Sequence, residues 1–254
     1  MLITFVMFFL GLLLGFVGAG GAGVVIAILT VVFDIPIYTA LATSLGAMVF
    51  TTMSGAYSHF REGNVVINSG VATGIFGAMG AFIGAKIAVL LPADNLKLLT
   101  ASMMLLSAGI LYLRIFSQCK FFSRSDSVNK PTPVGMQFWI AACGLGIVTG
   151  ILSGTFGIGA TPFIQIGLLL FFGMSIQQSV GTTMLVILPI ALLGGLSYST
   201  SGYLDVTLLI KVTIGLITGT YIGAKFTKRL QPAILKTAMV ALPVAGGLLL
   251  MFKS

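Results

Sequence analysis

Charged side chains are scarce in this chain: they make up 7% of its 254 residues, and only five residues are acidic. The chain has one histidine and two cysteines, Cys119 and Cys143, without a CxxC motif. Metal sites and disulfide frameworks need several such residues at characteristic spacings, so we expect neither. The chain also lacks paired carboxylates, and it has no serine and histidine pair at a plausible depth in the membrane. We therefore predict a protein that is not an enzyme and has no cofactor.

Hydrophobic residues, in contrast, make up 57% of the chain, and its mean hydropathy is +1.14. These values are typical of an integral membrane protein. A helix crosses a bilayer with about 20 apolar residues, and most apolar stretches of the chain approach or exceed that length. They cover approximately residues 2–33, 39–60, 65–91, 96–117, 136–172, 178–200, 205–227 and 232–252. We predict an all-α, polytopic membrane protein whose first apolar stretch is retained rather than cleaved as a signal peptide.

The chain repeats itself after 139 positions without a gap. The run Gly84-Ala85-Lys86, for example, returns as Gly223-Ala224-Lys225. Four glycines of the first copy return in the same way: Gly11, Gly15, Gly18 and Gly20 become Gly150, Gly154, Gly157 and Gly159. We infer an internal duplication, with an N-terminal membrane repeat over residues 1–117, a basic linker over 118–135 and a C-terminal membrane repeat over 136–254.

The first segment of each copy is too long for one crossing. As a single helix, residues 2–33 would measure about 48 Å, whereas the hydrocarbon core of a bilayer is about 30 Å thick. Each segment contains a glycine cluster, so we expect both helices to break there and to restart near Val24 and after Pro162. A broken pair either crosses twice or re-enters, which leaves an odd number of crossings per copy and inverts the second copy.

The distribution of basic residues favours the same inverted arrangement. Inversion places nine Lys and Arg residues on one side of the membrane and three on the other, as the positive-inside rule favours. Two parallel copies would show no such bias. The linker is then cytoplasmic, and both termini are periplasmic.

The glycine clusters are the first candidate binding site. A helix that restarts within the membrane presents unpaired amides and the positive end of its dipole, and both attract anions. Glycine also lets a ligand approach the backbone closely. On this ground we predict substrate contacts at Gly18, Gly20, Gly21, Gly157 and Gly159. Close helix packing is the alternative use of such glycines, and for Gly11 and Gly15 it is the favoured one.

Hydroxyl pairs are the second feature that both copies share. Thr43 and Ser44 correspond to Thr182 and Thr183, and Thr161 adds a hydroxyl beside the second glycine cluster. Hydroxyl groups can donate to an oxyanion, and we predict substrate contacts from all five residues. The alternative is donation to a carbonyl one turn earlier, which is common for Ser and Thr in apolar helices.

No carboxylate is predicted at mid-membrane depth, because the five acidic residues fall at predicted helix ends or in the linker. Carboxylate proton relays and many sodium sites depend on such residues. The transport mechanisms that remain are facilitated diffusion and coupling through another group. His59 is the only histidine and the candidate for coupling, although a position among lipid headgroups is the simpler interpretation.

The duplicated glycine clusters at residues 15–23 and 154–162, the repeated hydroxyl pairs and the basic central linker resemble the sulfite exporter TauE/SafE family of membrane permeases. The resemblance extends over nearly the whole chain. It implies transport of small sulfur-containing anions, such as sulfite, sulfoacetate and other organosulfonates, across the bacterial inner membrane. Inverted repeats with interrupted helices suit alternating access, and we predict a transporter of this kind in the lipid bilayer.

Two other functions stay open at the level of sequence. An anion channel would share the amide-lined pocket, and a structural or assembly role would not use it. Nucleic acid is not an expected partner, because the formal charge of +8 reports membrane orientation in such a chain. Transport direction, energy coupling and homo-oligomerisation are not readable from the sequence.

Overall fold

The computed structural model describes residues 2–17, 22–116, 135–227 and 232–252, and all regular structure in these ranges is α-helical. The predicted all-α class is confirmed. The predicted linker lies outside these ranges except for Gly135. The ten helices of the described residues are α1 (Leu2–Val17), α2 (Ala22–Val31), α3 (Ile37–Arg61), α4 (Ile67–Leu90), α5 (Ala93–Phe116), α6 (Met136–Phe156), α7 (Thr161–Phe172), α8 (Ile176–Thr200), α9 (Val206–Thr227) and α10 (Pro232–Phe252).

The helix boundaries repeat with the same displacement as the sequence. α2 begins at Ala22 and α7 at Thr161, which are 139 positions apart. The starts of α3 and α8, of α4 and α9, and of α5 and α10 are separated by the same number. α1 and α6 end at Val17 and Phe156, again 139 positions apart. Each half is therefore built from five equivalent helices in the same order.

The predicted break in the second half is confirmed and has a backbone cause. α6 ends at Phe156, and α7 begins at Thr161. Between them, Gly157, Gly159 and Ala160 have φ angles of 66°, 72° and 45°. Such positive φ angles cannot continue a right-handed helix, and they are readily adopted only by glycine.

The predicted break in the first half lies outside the described residues, between the end of α1 at Val17 and the start of α2 at Ala22. Both helices that follow the predicted breaks begin earlier than the sequence predicts. α2 begins at Ala22 instead of near Val24, and α7 begins at Thr161, so that Pro162 lies inside the first turn. Proline is tolerated there because an amide in the first turn has no intrahelical partner. The glycines of the first break lie outside the described residues: Gly18, Gly20 and Gly21.

Five helices of the described chain are long and apolar enough to cross a membrane: α3, α4, α6 and most of α5 and α8. α2 has 10 residues and α7 has 12. These lengths correspond to about 15 Å and 18 Å, roughly half of the hydrocarbon thickness. Neither short helix can cross a bilayer alone, so the break before α7 is expected inside the membrane, as is the predicted break before α2.

Glycines bring helices of opposite halves into backbone contact. A Cβ built on Gly80 of α4 would lie 2.5 Å from Ile147 O of α6. In the equivalent contact, a Cβ on Gly219 of α9 would overlap Phe8 O of α1. The first helix of each half therefore packs against the fourth helix of the other half, with no side chain between them at these points.

α3 and its counterpart α8 cross in the buried core. Leu45 Cδ1 lies 3.2 Å from the Cβ position of Gly194, and Met184 Sδ lies 3.4 Å from that of Gly55. The contact nearer the start of α3 is made with the later residue of α8, and the contact nearer the end of α3 with the earlier residue. The two equivalent helices therefore run antiparallel. Opposite orientations of the two halves would produce such a crossing. Inversion with respect to a membrane stays a prediction.

Candidate functional site

The second helix break, residues 157–160, is buried against α2 and α3. A Cβ built on Gly157 would lie 2.5 Å from Leu41 Cδ2 and 2.9 Å from Ile26 Cδ1. A Cβ on Gly159 would overlap Met48 Cε. The positive φ angles and the lack of room together explain why glycine occupies both positions.

The same break meets the start of α2. Ile158 Cγ2 lies 3.1 Å from the Cβ position of Gly23, which belongs to the first turn of α2. Ser44 of α3 donates a hydrogen bond of 3.0 Å to the carbonyl of Ala22, the first residue of α2. The second break therefore lies beside the first residues of α2, which directly follow the predicted first break.

Backbone amides at the second break are mostly buried and unpaired. The amide of Gly157 donates to Ser153 O at 2.7 Å, and that of Ile164 donates to Ala160 O at 3.0 Å. Three other amides of this segment have no acceptor within the described part of the chain: those of Ile158, Gly159 and Ala160. A buried amide without a partner costs about 1–3 kcal/mol and is rare. Their concentration here indicates a place where a ligand or water supplies the acceptors.

Side-chain hydroxyls add to these donors. Thr161 is 5% exposed, and its Oγ1 has no hydrogen-bond partner among the described residues. This oxygen lies 3.5 Å from the Cβ position of Gly159. Ser153 Oγ, one turn before the break, is also buried without a partner there. Of the predicted hydroxyls, Thr161 is the one that the structure places directly at the break.

The two predicted hydroxyl pairs have different partners. Thr43 is fully buried, and its Oγ1 has no partner among the residues described. In the second half, Thr182 Oγ1 accepts a hydrogen bond of 3.0 Å from Val66 N, at the start of α4. Thr183 Oγ1 donates to Ser179 O, one turn earlier, at 2.6 Å. Thr183 thus shows the back-bonded arrangement that is the alternative to substrate binding, and substrate contacts from these pairs stay predictions.

His59 lies in the last turn of α3, half-buried. Its Nδ1 is 3.7 Å from Glu62 Oε2, and its Cβ is 3.1 Å from the Cβ position of Gly181. Met48 lies at the break, and the part of α3 between Met48 and His59 is about 16 Å long. Coupling through His59 stays a prediction, and it would act from the end of α3 rather than from the break.

A cavity of about 270 Å³ lies elsewhere, at the connection between α2 and α3. Asp34, Tyr38 and Lys97 provide charged and polar groups in its wall, and Lys97 also pairs with Asp94 at 3.3 Å. Its wall thus carries charges of both signs, and none of the predicted site residues lines it.

Two residues at the break were not predicted from the sequence, Met48 and Ser153. Neither is repeated, because the corresponding residues of the other copy are Ile187 and Leu14. A search for polar residues that both copies share therefore could not select them. Packing against Gly159 and an unpaired buried hydroxyl are signals that only the three-dimensional structure carries.

A family model described as sulfite exporter TauE/SafE matches residues 3–250 of the chain. The chain belongs to the sulfite exporter TauE/SafE family. One similar protein is the probable membrane transporter protein YdhB of Bacillus subtilis (strain 168), which is 52% identical over 252 residues, or 99% of this chain and 100% of the relative. A probable membrane transporter protein of Xylella fastidiosa (strain 9a5c) is 26% identical over 86% of this chain and 81% of its own length. The probable membrane transporter protein MJ0441 of Methanocaldococcus jannaschii is 24% identical over 98% of this chain and 94% of its own length. No solved structure gives a significant match.

This TauE/SafE protein is a multi-pass membrane transporter. The family match and the five long apolar helices of the described chain agree on this point. The names of the relatives state no substrate.

Proposed function

We propose that this TauE/SafE protein transports a small sulfur-containing anion, sulfite or an organosulfonate, and binds it at the second helix break. The observation that carries the proposal is the cluster of buried, unpaired amides, those of Ile158, Gly159 and Ala160. Thr161 Oγ1 adds an unpaired hydroxyl donor at the same place. The side chains that pack on the break, Leu41 and Met48, carry no negative charge to oppose an anion.

Two helix N-termini make the electrostatic potential at this place more positive. α7 begins at the break, and the first turn of α2 contacts it through Gly23 and Ile158. The N-terminus of a helix carries roughly half of a positive elementary charge, and apolar surroundings screen that charge poorly. An anion can therefore be attracted without a buried Lys or Arg.

The geometry of the donors suits an oxyanion. Sulfite and sulfonate groups present several acceptor oxygens around one sulfur atom, and consecutive amides at the start of a helix converge on such a group. The description of the family as sulfite exporters supports the same class of anion. Whether an organic substituent fits as well depends on the room beside the break.

We propose further that the two halves have opposite orientations in the bacterial inner membrane, with the linker cytoplasmic and both termini periplasmic. The antiparallel crossing of α3 and α8 supports this, as does the exchange of equivalent glycine contacts between the halves. In such an arrangement each half can adopt the conformation of the other, which exposes one site to the two sides in turn. Leu41 and Met48 cover the break, which favours a site opened on one side at a time over a continuous channel.

Uptake into proteoliposomes tests the proposal. The purified protein is offered sulfite, sulfate, thiosulfate, taurine and sulfoacetate, each with and without a pH gradient. We expect saturable uptake of sulfite or an organosulfonate, and counterflow of labelled anion driven by unlabelled anion, which a channel does not give. Absence of uptake, together with no thermal stabilisation by any of these anions, would contradict the proposal and favour a structural or assembly role.

A further inference from the structure

We infer that Met48 determines the size of the anion accepted at the second helix break, an inference that rests on the proposed transport function. The Cβ position of Gly159 overlaps Met48 Cε and lies 3.4 Å from Met48 Sδ. Met48 is 5% exposed. Its side chain is therefore held inside the protein, beside Gly159, and not at the lipid-facing surface.

Met48 Cε and the unpaired hydroxyl of Thr161 both lie beside Gly159. Thr161 Oγ1 lies 3.5 Å from the same Cβ position that Met48 Cε overlaps. A thioether methyl group cannot accept a hydrogen bond, so Met48 Cε does not satisfy this donor. An anion that enters the space beside Gly159 and Thr161 therefore competes with this methyl group for room.

Met48 is the covering side chain best able to move. Methionine is unbranched and has three side-chain torsions, which lets it change shape at little energetic cost. The side chains over Gly157 are Leu41 and Ile26, and β-branched Ile is stiff at its first torsion. Displacement of Met48 alone opens the space beside Gly159, and the volume that Met48 still occupies then limits the substituent on the sulfur atom.

Substitutions that change this volume in opposite directions test the inference. Initial uptake rates of sulfite and sulfoacetate are measured in proteoliposomes for Met48→Ala, Met48→Phe and Met48→Leu. We expect the ratio of sulfoacetate to sulfite uptake to rise about tenfold in Met48→Ala, at the lower end of discrimination by pocket size. The ratio should fall in Met48→Phe and stay within about twofold in Met48→Leu, which conserves volume. Met53→Ala is the matched control, because Met53 lies on the same helix and is 55% exposed.

The outcomes separate this inference from the proposed function. An unchanged ratio in Met48→Ala and Met48→Phe, while the unsubstituted protein takes up both anions, overturns the role of Met48 and leaves anion transport standing. Uptake of neither anion by the unsubstituted protein overturns both. Thermal unfolding in detergent identifies a variant that does not fold, and the remaining variant then decides, since the two shifts have opposite signs.

Discussion

Gly46 of α3 packs against Leu209 of α9, and Gly70 of α4 packs against Leu185 of α8, each with a leucine methyl group 2.7 Å from the Cβ position of the glycine. Gly46 corresponds to Leu185 in the repeat, and Gly70 corresponds to Leu209. The two contacts are therefore equivalent, with glycine and leucine exchanged between the helices. The packing of the two halves stays symmetric even where their residues differ.

The polar groups of the two halves are not symmetric. At the start of α4, Val66 N donates to Thr182 Oγ1. At the equivalent start of α9, Leu208 N donates to the Asp205 carboxylate at 3.0 Å, and Thr43, the counterpart of Thr182, has no partner in the described part of the chain. One threonine thus stabilises a helix start, whereas the other is left for a different use. A common packing framework therefore carries different polar groups in the two halves.

The largest expected effect is at the second break. Gly159→Leu should abolish anion uptake while membrane insertion is retained, because a side chain there has a positive φ of 72° and overlaps Met48. Gly202→Leu is the matched control, since Gly202 has a φ of 79° but open space around it. The sequence predicts the same loss for Gly20→Leu, and comparing the two variants in a transport assay shows whether both breaks hold the anion. If both variants retain uptake, the breaks are not part of the binding site.

The next effect concerns the packing between the halves. Gly80→Ala and Gly219→Ala each place a methyl group against a backbone carbonyl, and each should lower the free energy of unfolding by about 3 kcal/mol, the upper end for overpacking. Gly109→Ala and Gly144→Ala are the controls, because a Cβ meets nothing within 4 Å at either position. They should be neutral or stabilising by up to about 1 kcal/mol. Thermal unfolding in detergent measures the stability of all four variants. If only one of Gly80→Ala and Gly219→Ala is destabilising, the result contradicts symmetric packing.

Local composition was enough to predict the all-α class, the helix break before α7 and the helices that carry the hydroxyl pairs. The breaks depend on glycines, and a helix of more than 30 residues cannot fit one crossing of about 30 Å. The acidic residues of the described chain also lie at helix ends or connections, as predicted: Asp34, Glu62, Asp94 and Asp205. These features follow from short stretches of sequence and from the thickness of the bilayer.

The surroundings of the break could not be predicted in this way. Met48 precedes Gly159 by more than a hundred positions, and their contact depends on how α3 packs against the other half. The sequence likewise does not distinguish Thr182, which accepts from Val66 N, from Thr183, which bonds within its own helix. Adjacent residues of one motif face different directions on a helix, and their partners are set by tertiary packing.

The equivalent threonines offer a smaller but sharper test of asymmetry. Thr182→Val leaves Val66 N unpaired and should lower the free energy of unfolding by about 2 kcal/mol. Thr43→Val removes a buried hydroxyl without a described partner, so stability should be unchanged or higher. If Thr43 contacts the anion, uptake should fall in Thr43→Val although the protein remains stable. Equal destabilisation by both substitutions would contradict the different roles of the two threonines.

The smallest effects are expected at another pair of equivalent positions, Tyr198 and His59. Tyr198 is fully buried and donates from its hydroxyl to Gly154 O in the last turn of α6, at 3.0 Å. Tyr198→Phe should therefore cost about 1 kcal/mol and reduce uptake modestly, since that turn leads into the break. His59 has a side chain that is 30% exposed and lies beside Glu62, so His59→Gln should change stability by less than about 0.5 kcal/mol. Anion uptake with and without a pH gradient distinguishes the roles of these two residues. A gradient effect that disappears only in His59→Gln would assign proton coupling to the N-terminal half, and it would place the asymmetry of the transporter at the end of α3 as well as at the break.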